Sequence, residues 1–128
     1  MRADLGCSWI ALIAMDDYTD RLRKLALGDA ALVAAVLAGE PNREISGLED
    51  KVHALVRLST TFAVDAGQTS YQLAVERALA AGATPEEIAG TLIAVVGLTG
   101  VPRAVAAAPM LALALGYDVE AALEGLDG

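Results

Sequence analysis

The chain has 128 residues, a net charge of −8 and 55% hydrophobic but only 4% aromatic residues, the size of one domain. Its 27 alanines and 19 leucines favour close-packed helices over a β-sandwich, and they exclude disorder for the body of the chain. So acidic a surface repels phosphate, which excludes nucleic acid and anionic membranes as partners. One cysteine, Cys7, and one histidine, His53, allow neither a CxxC couple nor a histidine metal site, so no metal and no cofactor are expected.

Residues 1–15 read as a poorly ordered or artefactual N-terminal extension, and residues 16–128 as a single domain. The apolar run from Leu5 to Met15 has the look of a short secretory signal, but Asp4 spoils its basic end and no clean cleavage site follows. The expected location is the cytoplasm. Cys7 and Trp9 lie in this segment, so no chemistry is assigned to either.

The first predicted helix covers Tyr18 to Leu27 and stops at Gly28. Asp29 caps a second, alanine-rich helix that runs to Ala38 and stops at Gly39. Glu40-Pro41-Asn42-Arg43 reads as a loop. Ser46-Gly47-Leu48-Glu49 has the S-x-x-E form of a capping box and opens a long helix with Leu48, Val52, Leu55, Phe62 and Ala66 as its buried stripe. Gly67 ends that helix, and Thr69-Ser70-Tyr71-Gln72 forms a second box that opens the next one, which stops at Gly82. Thr84-Pro85-Glu86-Glu87 is the strongest start signal, combining an N-cap threonine, proline at the first helical position and glutamate at the third. Ile88, Leu92, Val95 and Val96 mark the face of the helix that follows, and Gly97, Gly100 and Pro102 break it. A last alanine-rich helix runs from Arg103 to Leu115, with a short acidic helix after Asp118. From Ile88 to Leu115 the only charge is Arg103. Glycines and prolines interrupt this stretch too often for a membrane span. A helix apolar on all sides must be covered on all sides, and self-association is the natural cover.

No P-loop, GxGxxG, HExxH or GxSxG motif occurs. The chemically suggestive region is the junction from Phe62 to Ala74, where a helix end, Gly67 and a capped helix start meet. Free backbone N–H groups at Thr69, Ser70 and Tyr71 would favour an anion there, although every helix has such a terminus and most hold only water. Ser59, Thr60 and Thr61 interrupt the long helix just before the junction. Ser59 falls on the buried stripe, either bonded back to a carbonyl of its own helix or lining a pocket. Glu49, His53 and Arg57 form an i, i+4 ladder on one helix face. Such ladders are commonly solvated pairs, yet only His53 titrates near neutrality unaided, so proton transfer would fall to it first.

From Leu48 onward the order of signals resembles the carboxymuconolactone decarboxylase, or AhpD-like, family. The run Leu48-Glu49-Asp50-Lys51-Val52-His53-Ala54-Leu55-Val56-Arg57-Leu58 is similar to the family's opening helix. The segment Ala78 to Ile88 is close to its A-x-x-x-G-x-T-x-E-E-I pattern, and Gly97-Leu98-Thr99-Gly100-Val101-Pro102 to its glycine-proline break. The resemblance implies an all-α, AhpD-like helical bundle of about six helices, assembled as a homotrimer or homohexamer. It also implies that the C-x-x-C-x-x-x-H motif of redox members would fall on Gly67, Ser70 and Ala74, where neither the cysteines nor the histidine is present. Decarboxylating members keep that histidine and carry glutamate at the Ser70 position. An acidic residue of the redox members, expected around Ala54 or Leu55, is also absent. Thiol peroxidase chemistry therefore lacks its sulfurs, and decarboxylation in the family's manner lacks its proton donor. Ser70, Ala74 and Ala78 recur on one helix face and leave room either for a ligand or for close packing.

Two functional expectations follow. In the first, the chain acts on a small anionic organic molecule such as a lactone, carboxylic acid or polyketide-like compound. His53, Ser70 and Tyr71 would then be catalytic, and Arg57, Gly67, Gln68, Thr69 and Ala74 would bind the substrate. In the second, it is a non-catalytic binding or assembly protein that keeps the family scaffold.

Overall fold

A computed structural model describes residues 17–127. Every regular element among them is helical: α1 Tyr18–Ala26, α2 Ala30–Leu37, α3 Gly39–Ser46, α4 Asp50–Ala63, α5 Gln68–Ala80, α6 Pro85–Thr99, α7 Val101–Ala114 and α8 Val119–Asp127. The expected N-terminal extension, with Cys7 and Trp9, lies outside the described residues. The chain divides into two units, one ending at Glu49 and the other beginning at Asp50.

In the N-terminal unit, α1 packs on α2 and α2 on α3. Asp17 caps α1, its carboxylate accepting from the Asp20 N–H at 3.0 Å and from the Thr19 hydroxyl at 2.6 Å. These two bonds, the hydroxyl's foremost, hold the Asp17 carboxyl below its usual range. Asp29 caps α2 as expected, accepting from the Leu32 N–H at 2.9 Å. Leu32 and Ile45 form the small core, with Ala35 and Val36 against them. The Arg21 guanidinium donates to the Ile45 carbonyl at 3.0 Å and so ties α1 to the end of α3.

Two expectations fail in this unit. The segment read as a loop at Glu40 to Arg43 is the body of α3. Pro41 sits in that helix's first turn, where a missing N–H costs no intrahelical bond, and the Asn42 side-chain amide donates to the Val36 carbonyl at 2.7 Å. Nor does Ser46 open a helix, because it is the last residue of α3. Its hydroxyl donates to the Arg43 carbonyl at 2.5 Å and accepts from the Leu48 N–H at 3.2 Å, while Gly47 takes the left-handed conformation that ends the helix.

In the C-terminal unit, α4 packs on α5, α6 and α7, α7 on α5, α6 and α8, and α5 on α6. The core is Leu58, Phe62, Tyr71, Val75, Ala78, Ala83, Ile88, Leu92, Ala107 and Leu111. The buried stripe of α4 consists of Leu58 and Phe62 with Ala54 and Leu55 beside them. Val52 and Leu48 are instead exposed, and Leu48 precedes the helix. Thr84 opens α6 as expected. Its hydroxyl accepts from the Glu87 N–H at 3.1 Å, and the Glu87 carboxylate accepts from the Thr84 N–H at 2.9 Å. Lys51 on α4 reaches the other oxygen of that carboxylate at 3.0 Å. The helix then continues through Gly90 and through Gly97, the expected break, because each internal glycine weakens a helix by only about 1 kcal/mol. The break falls at Gly100, whose φ of 95° and ψ of 149° belong to a region open essentially to glycine alone. There α7 begins, earlier than expected, with Pro102 in its first turn.

No helix of the described residues is long and apolar enough to cross a membrane.

Candidate functional site

The junction between α4 and α5 has a different local design from the one expected. Helix α4 ends at Ala63, short of Gly67, and the left-handed residue that turns the chain is Asp65, with φ 55°. Aspartate tolerates that conformation better than most residues. The turn is closed by backbone bonds from the Val64 N–H to the Thr60 carbonyl and from the Ala66 N–H to the Thr61 carbonyl, both 3.1 Å. Gly67 is the N-cap of α5, with an extended backbone and no side chain to cap the helix. The T-x-x-Q box therefore does not form: α5 is already under way at Gln68, and Thr69 falls inside its first turn. Of the three N–H groups expected to be free, those of Ser70 and Tyr71 both donate to the Gly67 carbonyl, at 3.0 and 3.2 Å.

The expected catalytic residues are not brought together. Tyr71 is buried, its ring 5.7 Å from that of Phe62 at an interplanar angle of 37°. Ser70 and Thr69 are exposed. His53 lies on the same helix as Phe62 but about nine residues earlier, roughly 13 Å along the axis, towards the end of α4 where Lys51 meets Glu87. Arg57, one turn after His53, is exposed, and Glu49, the first member of the expected ladder, stands before the helix starts. Gln68 is half-buried and donates to the Met110 carbonyl at 3.2 Å, clipping the start of α5 to α7. On the small-residue face of α5, Ser70 faces solvent, Ala74 packs against the core and Ala78 is fully buried. At Ala74 and Ala78 the small side chains serve close helix packing. The hydroxyls of Ser59, Thr60 and Thr61 each donate to the carbonyl three residues back, at 2.6 Å, which is the structural role for Ser59.

Two residues at this corner were not singled out from the sequence. Arg103 on α7 donates to the Ala63 carbonyl at 3.0 Å, placing its charge on the negative end of the α4 dipole. Its isolation in an otherwise uncharged run was the available signal, since a lone cation in an apolar helix needs a polar partner. Asp65 acts on Tyr71 from the turn. Burial raises the phenol's pKa first, Asp65 raises it further, and Arg103 opposes them with a smaller effect.

No group of three or more histidine, cysteine, aspartate or glutamate side chains able to hold a metal occurs among the described residues. Comparison with protein-family models, with curated proteins and with solved structures finds no match to this chain.

Proposed function

We propose that this chain is a non-catalytic, self-associating helical scaffold, a divergent relative of the carboxymuconolactone decarboxylase-like proteins that keeps their architecture without their chemistry. The observation that carries this reading is the outer surface of α6 and α7. Ile93, Leu98, Val101 and Val105 are 74%, 89%, 63% and 66% exposed, and after Glu87 the two helices hold no charge except Arg103, which is engaged with α4. Large side chains exposed on charge-free helices are characteristic of surfaces that associate. The resemblance suggests a trimer or hexamer of identical copies. The packing of Ala74 and Ala78 and the separation of His53 from Phe62 along α4 both favour a role without catalysis. Sedimentation or light scattering tests the proposal. The chain is expected to sediment as a stable oligomer at micromolar concentration, and the paired substitution Leu98→Glu and Val105→Glu to reduce it to a folded monomer. A monomeric parent chain would refute it.

A second reading has the chain act on a small anionic organic molecule, a carboxylic acid or lactone, at the α4–α5 corner. It is supported by the charge of Arg103 at the end of α4 and by the first turn of α5, which carries no acidic residue. Ser70→Glu adds a negative charge in that turn. On this reading it weakens the binding of small carboxylates followed by NMR titration. Unchanged binding places any ligand elsewhere, and no binding by the parent chain removes the reading.

A further inference from the structure

We draw no further inference here: the strongest candidate, the side-chain cluster of Asp65, Tyr71 and Arg103 at the corner between α4 and α5, belongs to the site already described and has no independent observation pointing to a ligand.

Discussion

Thr84 provides a sharp test of how the C-terminal unit is held together. Its hydroxyl accepts one bond, from the Glu87 N–H at 3.1 Å, and the residue is exposed, so truncation removes a cap with little loss of packing. The reciprocal bond, from the Thr84 N–H to the Glu87 carboxylate at 2.9 Å, uses the backbone and survives any change of side chain. Thr84→Ala should therefore cost about 1 kcal/mol, the usual worth of one N-cap oxygen. For a unit of this size that is a fall in Tm of about 4–8 °C. Thr84→Ser should cost almost nothing. Thr84→Gly should cost only a few tenths of a kcal/mol more than serine, because glycine leaves the helix end open to water. This order, with glycine milder than alanine, separates a cap from a packing contact, where the smaller residue does more harm. Thermal melts followed by circular dichroism read it directly. If alanine and serine melt together, or glycine melts below alanine, the hydroxyl does not cap α6.

The Glu87 carboxyl titrates below its usual range because the Thr84 N–H, and then Lys51, favour its charged form. Its contribution is present above the unfolded value near 4.5 and is lost as pH falls through the lower folded value, so Glu87→Gln should flatten the acid limb of a stability–pH curve; an unchanged limb would count against it. Phe62→Ala opens a cavity beside Tyr71 in the core and should cost about 3–5 kcal/mol, which lowers the Tm of a unit of this size by more than about 10 °C; a cooperative melt within a few degrees of the parent would contradict the packing. Asp65→Asn should lower the Tyr71 pKa and Arg103→Ala should raise it, in an ultraviolet phenolate titration, with burial keeping both above the usual tyrosine value; equal shifts in one direction would refute the arrangement. Ser70→Glu places a carboxylate in the first turn of α5 and should stabilise the fold by about 0.3–1 kcal/mol, whatever it does to ligands; a lower Tm would contradict that placement.

How far the fold could be read from the sequence depended on whether a signal was redundant. Threonine, proline and glutamate all agree at Thr84 to Glu87, and the box forms as expected. Asp29, Gly82 and Asp118 likewise stand where their helices begin or end. Signals resting on a single residue type failed where a neighbour offered the backbone a better partner. Ser46 looked like a cap, but its hydroxyl serves the end of α3 and the following turn. Thr69 looked like a cap, but Gly67 already starts the helix from two positions earlier. Pro41 looked like a breaker, yet it fell in the one turn of a helix that tolerates it. The expected junction of two helices is present after Phe62, and Tyr71 is packed at it. The sequence could not show that Asp65, rather than a glycine, makes the turn, nor that Arg103 reaches it from α7, because neither follows from spacing along the chain. Only the ordinary titration range of an imidazole distinguishes His53 in the sequence, and that property says nothing about what stands near it.

The missing side-chain cap at Gly67 has a consequence for how the structure opens. The first turn of α5 is held by main-chain bonds and by the clip from Gln68 to Met110, whereas one turn further Tyr71 is fixed in the core. The amide hydrogen of Ser70, bonded to the Gly67 carbonyl, should therefore exchange with solvent through small local openings, and that of Val75, beyond the aromatic pair, only when the whole unit unfolds. The α4–α5 connection would behave as a loose collar around a fixed pin, and proteases and sequence change would meet the collar long before they reached the pin.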